Sequence, residues 1–203
     1  MAYFPFFHEL DNKNIIIIGG GNIALEKIER LTGLGGKIKV IAPEIKKEIS
    51  EASDVECIVK RFAPEDISGA DFVISATGDE TVDKIVFDLC REKKVPVNVV
   101  DKKDKCDFIF PSVIRRKNLV IGVSSSGSSP QVAIKLRKEI EELIPENIED
   151  ILDYLDGLRP VVRQKVSDPH RRHKILKKAA DICLNESRVL SEDEFWELLN
   201  YEG

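Results

Sequence analysis

The sequence predicts an α/β protein: a Rossmann-type parallel sheet, then a small hairpin-helix dimerisation segment, then a C-terminal helical domain. Three observations predict it. A continuous β-branched run, Asn14-Ile-Ile-Ile-Ile18, stops at Gly19-Gly20-Gly21. A run without alternation suits a strand buried on both faces, as in a parallel sheet. From Asn22 the period changes, with Ile23, Leu25, Ile28, Leu31 and Leu34 recurring at helical spacing among charged residues. Lys37–Ile41 then returns to strand grammar, which completes a β-α-β unit of about thirty residues.

The later elements follow in order. Gly35-Gly36 is expected to end the first helix, because glycine supplies a left-handed cap without steric cost. Val55–Lys60 reads as a third strand and Asp71–Ser75 as a fourth. Glu80–Lys93 reads as a helix with Val82, Ile85, Val86 and Leu89 on one face, and Pro96–Val100 as a fifth strand. Strands that alternate with helices argue for a doubly wound parallel sheet, since parallel neighbours need crossover connections. After Asp101 the grammar changes. Phe108–Ile114 and Leu119–Ser124, joined by Arg115–Asn118, read as an antiparallel hairpin. Pro130–Leu143 reads as a helix capped by Ser128 or Ser129, with Pro130 in its first turn. From Ile148 the chain reads as wholly helical, over 148–158, 160–166, 171–184 and 192–199. The expected domains are residues 1–111 for NAD binding, 112–146 for dimerisation and 147–203 for closing over a substrate. The hairpin and its helix are too small to bury their apolar faces alone, so a homodimer is expected.

Composition narrows the partners. A hydrophobic share of 42% and a charged share of 33% describe an ordinary soluble protein. The net charge of −5 argues against nucleic acid or an anionic membrane as partner. Cys57, Cys90, Cys106 and Cys183 form no C-x-x-C pair and read as reduced thiols. No run approaches the ~20 apolar residues of a membrane span. Pro5, His8 and Glu9 interrupt the N-terminal apolar stretch, which has no basic region ahead of it, so no signal peptide is expected. A cytoplasmic location follows.

Gly19-Gly20-Gly21-Asn22-Ile23-Ala24 fits G-x-G-x-x-A. Its position, directly after a buried strand and opening an amphipathic helix, makes it informative. Gly19 is expected to make the tight turn, Gly21 to let the backbone approach a pyrophosphate, and Ala24 to allow close helix–strand contact. The helix N-terminus then offers unpaired N–H groups and a positive dipole end to the phosphates. The acid that usually closes the second strand is displaced here, for the strand ends Val40-Ile41-Ala42-Pro43-Glu44. Either Glu44 reaches the ribose, or the backbone of Pro43 and Glu44 serves. Lys46 and Lys47 suit a 2′-phosphate or a solvated helix face. NAD is favoured over NADP. Ala76 and Thr77, in the loop after the fourth strand, are expected beside the dinucleotide, while Thr77 or Asp79 also suits a helix cap.

Val97-Asn-Val-Val-Asp101 places a carboxylate at the carboxyl end of the fifth strand. Such a group can take a proton while a hydride leaves for nicotinamide, or it can hold a metal ion. Position alone also suits a turn residue. Asp104 and Asp107 follow closely. His170 and His173 lie three apart on a helix start, with no third metal ligand at useful spacing, so no metal site is assigned.

These residues carry a resemblance. Phe4-Pro5-Phe6-Phe7, the Gly19–Ala24 loop, Ser75-Ala-Thr-Gly-Asp79, Asn98-Val-Val-Asp101, Phe108-Ile-Phe-Pro-Ser112 and Val123-Ser-Ser-Ser-Gly-Ser-Ser-Pro130 resemble the successive motifs of precorrin-2 dehydrogenases. That family is the dehydrogenase/ferrochelatase part of siroheme synthase. The likeness runs in order over residues 1–145 and is looser over the helical tail. It implies NAD-dependent oxidation of precorrin-2 to sirohydrochlorin in siroheme, a porphyrin-type, biosynthesis, with iron insertion added in some members. It implies a homodimer whose middle segment is exchanged between protomers. It assigns the catalytic role to Asp101, nucleotide contacts to Asn22, Ile23, Pro43 and Glu44, and a substrate-site or phosphorylated serine to Ser125. A chain ending at Gly203 is expected to lack the methyltransferase half of the longest siroheme synthases.

The tetrapyrrole substrate carries eight carboxylates, so cationic side chains are needed despite the acidic whole. Arg115, Arg116, Lys117, Lys135 and Arg137 lie in the middle segment. Arg159, Arg163, Lys165, Arg171, Arg172, Lys174, Lys177 and Lys178 crowd the tail. Two rival readings remain: a non-enzymatic NAD-sensing Rossmann regulatory module, and a chelatase without redox turnover. The basic helices and Asp101 argue against a pure sensor, which needs neither.

Overall fold

The structure, a computed structural model, describes residues 3–200. It forms two compact units, one ending at Phe110 and the other starting at Pro111. The outermost residues of the expected first and third domains, 1–2 and 201–203, lie outside the described residues.

The first unit runs β1 (Asn14–Ile18), α1 (Asn22–Leu31), β2 (Lys37–Ala42), α2 (Lys47–Ser50), β3 (Val55–Val59), β4 (Phe72–Ser75), α3 (Glu80–Lys93) and β5 (Val97–Val99). All five strands are parallel, in the order β3-β2-β1-β4-β5. The α/β doubly wound expectation holds. The pleat of central β1 sends Ile15 and Ile17 into one core, and Ile16 and Ile18 into the other. That is why the run shows no alternation: both faces are covered. Ala24, Ile28 and Leu31 of α1 and Ile49 of α2 pack against the first face. Val86 and Cys90 of α3 pack against the second, with Ile67 from a 3₁₀ turn at Pro64–Ile67. Ile17 is wholly buried, so Ile17→Ala is expected to cost about 2–5 kcal/mol.

One boundary differs from expectation. Helix α1 ends at Leu31, not at Gly35-Gly36. Thr32 stops it, its amide and its hydroxyl both donating to the Ile28 carbonyl at 2.8 Å. Gly33 (φ 71°) and Gly35 (φ 75°) then turn the chain toward β2, and Leu34 lies beyond the helix.

The second unit opens with the hairpin β6 (Ser112–Arg116) and β7 (Leu119–Val123), antiparallel with Ser112 opposite Val123. Its first strand begins later than the expected Phe108. Phe108 and Phe110 instead pack in the first unit's core, with Phe108 edge-on to Phe72 at 5.7 Å. Helix α4 (Pro130–Glu142) lies on both strands and is capped by Ser129, whose hydroxyl accepts from the Val132 amide. Then follow α5 (Ile148–Lys165), α6 (Pro169–Glu186) and α7 (Glu192–Asn200). The expected break before Pro160 is absent, and α5 runs through it. Proline removes one N–H and frees the carbonyl four residues back. That carbonyl belongs to Asp156, and Asp156, Gly157 and Pro160 are all exposed to water. Leu158 and Val162, either side of the proline, are buried in the core shared with Ala179, Cys183 and Phe195, and this packing holds the helix together. Among the described residues, no helix is long and apolar enough to cross a membrane.

Candidate active site

The glycine loop leaves β1 at its carboxyl end. Gly19 adopts φ 120°, and a Cβ there would overlap the Ala76 carbonyl, so it makes the tight turn and lets the β1 and β4 loops touch. Gly20, which sequence reasoning passed over, is equally constrained: a Cβ would overlap the Glu44 carbonyl. Its own carbonyl accepts from the Lys46 amide at 3.0 Å. Gly21 meets nothing within 4 Å and is exposed. Ala24, one turn further, is fully buried against the sheet.

Gly21 is also the N-cap of α1, and no side chain caps that helix. By contrast, Asp79, Ser129 and Asp168 cap α3, α4 and α6 with their own oxygens. An uncapped N-terminus beneath open space offers its N–H groups and dipole to a phosphate. The cradle therefore fits a dinucleotide pyrophosphate. Exposed Asn22 and Ile23 stand at its rim, as do exposed Pro43 and Glu44, which follow buried Ala42 at the end of β2. The Lys46 ammonium donates to the Asn22 side-chain oxygen Oδ1 at 2.7 Å. Lys47 pairs with Glu51 along α2 and is a solvated helix face.

Ala76 and Thr77 follow β4, and the Ala76 amide donates to the Ile18 carbonyl at 2.8 Å. Thr77 is held by Asp83, a residue absent from the sequence reasoning. The Asp83 carboxylate, 5% exposed, accepts from the Ser75 hydroxyl at 2.7 Å and the Thr77 hydroxyl at 2.6 Å. A buried carboxylate needs such donors. Asp79 is the N-cap of α3, accepting from the Thr81 and Val82 amides, and Thr77 accepts from the Asp79 amide. Thr77 thus has a local structural part beside its place at the crevice.

Asp101 sits just past β5, in a turn closed by the Lys102 amide donating to the Val99 carbonyl. Its φ is 61° at the third turn position, where glycine or asparagine is usual. Among the described residues, no hydrogen bond or ion pair engages its carboxylate. Its neighbour Lys102 reaches Glu80 at 2.5 Å, and this carboxylate raises the lysine's pKa above its ordinary value. Asp107, by contrast, is committed to structure: it accepts from the Val97 amide and pairs with Arg91 at 2.7 Å. The carboxyl ends of β1, β2 and β4 thus gather the predicted nucleotide residues, and Asp101 stands at the end of β5, next to β4. A cavity of about 850 Å³ opens at the opposite, amino end of the sheet, beside Asn14, Gly36, Lys37 and Gly69. It holds none of these residues, and ligands of open α/β sheets bind at strand carboxyl ends.

In the second unit, Ser125 is half-buried and its hydroxyl serves the loop, accepting from the Ser129 amide and donating to the Ser129 carbonyl, both at 2.9 Å. Many predicted cations are already engaged. Arg116 and Arg137 meet Glu141, Lys117 meets Asp153, and Lys165 lies over Trp196. Arg171 and Arg172 donate to backbone carbonyls. Among the described residues, Arg159, Arg163 and Lys177 have no such partner. Among the described residues, too, no cluster of three His, Cys, Asp or Glu side chains is arranged to hold a metal.

A family model described as "Putative NAD(P)-binding" matches residues 6–112. A siroheme synthase of Neisseria meningitidis serogroup C (strain 053442) is 33% identical over 213 residues, covering 100% of this chain and 44% of that protein. The siroheme synthase of Pseudomonas fluorescens (strain Pf0-1) is 37% identical over 175 residues, covering 81% of this chain and 38% of that protein. The chain therefore spans less than half the length of these relatives. The solved structure of SirC, precorrin-2 dehydrogenase, matches with a TM-score of 0.75 over 97% of each chain at 22% identity, a likeness of fold.

Proposed function

We propose, for a chain that belongs to the NAD(P)-binding family whose model it matches, that it oxidises precorrin-2 to sirohydrochlorin with NAD⁺. The observation that carries this reading is a pairing within one unit. An uncapped glycine-loop helix and an unengaged carboxylate, Asp101, stand at carboxyl ends of the same sheet. The alignment of the whole chain with 44% of a siroheme synthase supports the substrate class.

Bound NAD⁺ supplies the hydride acceptor. The chain's own groups do the rest. The α1 N-terminus, Gly19, Gly21, Asn22 and Ile23 receive the pyrophosphate. Ala42, Pro43 and Glu44 receive the adenosine ribose, where the Glu44 charge disfavours a 2′-phosphate and so favours NAD over NADP. Ala76 and Thr77 line the nicotinamide half. Asp101 accepts the proton that must leave the macrocycle with the hydride. Ser125 is assigned to substrate binding. Residues 112–146 build a homodimer and residues 147–203 handle the substrate, in the cytoplasm. Purified protein, incubated anaerobically with precorrin-2 and NAD⁺, should generate the absorbance of reduced nicotinamide. No signal with either NAD⁺ or NADP⁺ would sink the proposal.

A further inference from the structure

The turn that carries Asp101 is stapled to the sheet by a side chain to which no role has been given. Strand β5 is an edge strand, paired on one side with β4. Its other side is taken by the chain returning from the Asp101 turn. Asn98 forms an isolated antiparallel bridge with Cys106, and the Asp107 amide donates to the Val97 carbonyl at 2.8 Å. Residues 99–105 therefore form a closed excursion whose two feet lie side by side, with Asp101 in it.

Asn98 lies at the middle of β5, between Val97 and Val99, which are fully buried; Asn98 itself is 7% exposed. A buried amide in a three-residue apolar strand costs free energy unless it is bonded. Its Nδ2 donates to the Phe108 carbonyl at 2.8 Å and approaches the Cys106 sulfur at 3.4 Å. The Cys106 thiol in turn lies 3.2 Å from the Val99 carbonyl and 3.3 Å from that of Lys102, the two ends of the Asp101 turn. One amide thus reaches, through one sulfur, both carbonyls that frame Asp101.

A strand needs no asparagine there. Valine is the better strand former and would continue the apolar run. The turn, however, holds an aspartate at φ 61°, in the left-handed region that side chains other than glycine occupy at a cost. We propose that Asn98 is the positioning residue for the Asp101 carboxylate, fixing the turn through Phe108 and Cys106. The proposal rests on the reading of Asp101 as the proton acceptor. Misplacing a reacting group by about 1 Å can cost a hundredfold in rate.

Asn98→Val tests it, because that variant keeps the strand; Asn98→Ala is the second variant. Both should bind NAD⁺ within about twofold of wild type, while kcat falls about ten- to a hundredfold with little change in KM for NAD⁺. Amide hydrogen exchange should quicken over residues 100–106 and stay unchanged in β1 and β2. Placed on Asp101→Asn, Asn98→Val should cost nothing further, since residues acting as one unit are not additive. Wild-type turnover in both Asn98 variants, with Asp101→Asn inactive, overturns the positioning role alone. An equal loss on the wild-type and Asp101→Asn backgrounds also overturns it. Wild-type turnover in Asp101→Asn refutes the reading of Asp101, and the positioning role goes with it.

Discussion

On the proposed reading two single positions carry opposite requirements: Gly21 leaves room for a phosphate, and Asp101 offers a charge. Gly21→Asp puts bulk and negative charge above the α1 N-terminus, in space that is open on all sides. The fold should survive and NAD⁺ titration should show affinity falling beyond detection; unchanged affinity would remove the phosphate site from this loop. Asp101→Asn keeps shape, and asparagine accepts positive φ readily. Turnover should fall about 10²–10⁴-fold with NAD⁺ binding nearly intact, whereas exposed Asp104→Asn should retain most activity. Asp107→Asn is not a neutral control, because that carboxylate holds Arg91 and the Val97 amide. The turn at Gly19, the N-cap place of Gly21 and the strand-end place of Asp101 were legible because their signals are local: a fingerprint and a strand end. Gly20 and Asp83 were not. What makes Gly20 indispensable is the Glu44 carbonyl, brought there by the β2 loop. Asp83 reads as one more polar position on α3, and only Ser75 and Thr77 make it a buried anchor.

The elements followed the hydrophobic periods closely, and they departed where packing or a side chain outweighed a local rule. The isoleucine run of β1 announced a two-faced strand, and the 3.6-residue spacing announced α1 and α3. Pro160 did not break α5, because Leu158 and Val162 bury in one core while the freed carbonyl faces water. Gly35 did not end α1, because Thr32 ended it first. The loop after β4 invites its own test. Asp83→Ala leaves the buried Ser75 hydroxyl without its acceptor and releases Thr77, so NAD⁺ affinity should drop about tenfold while kcat at saturating NAD⁺ stays near wild type; this follows from a lost buried bond of about 1–3 kcal/mol. An unchanged dissociation constant would confine Asp83 to a structural part. Helix α7 begins with a capping box: the Glu194 carboxylate accepts from the Ser191 amide at 2.7 Å, and the Ser191 hydroxyl accepts from the Glu194 amide. Arg188 and these bonds hold the Glu194 carboxyl down to about 2. A depressed folded pKa stabilises above the unfolded value of about 4.5 and loses that stability as pH falls toward 2. Glu194→Gln should therefore flatten the decline of Tm over that window, and an unaltered pH dependence would show the pair to be screened.

The molecule as a whole leaves apolar surface uncovered in its second unit. Val113 and Val120 on the hairpin, and Val132, Ile134 and Leu136 on α4, are all exposed, and Leu143 is 82% exposed. Exposed apolar side chains are surface that an interface can cover, and in the homodimer proposed above a second copy of the chain covers them. Sedimentation at micromolar concentration should give a dimer, and Leu136→Glu with Val132→Glu should give a folded monomer. A wild-type protein that stays monomeric would contradict that assignment. Overall architecture was legible because alternation of strand and helix is a chain-long signal, whereas the middle segment's cationic character was overstated. Charges read singly along a sequence do not reveal that Arg116, Lys117 and Arg137 already have partners.

The most direct measurement is the stoichiometry of anaerobic turnover, with reduced nicotinamide and sirohydrochlorin quantified together from precorrin-2 and NAD⁺. A dehydrogenase acting as proposed yields one of each per substrate consumed, with NADP⁺ giving far less. Tight NAD⁺ binding without either product would instead identify a nucleotide sensor and contradict the account.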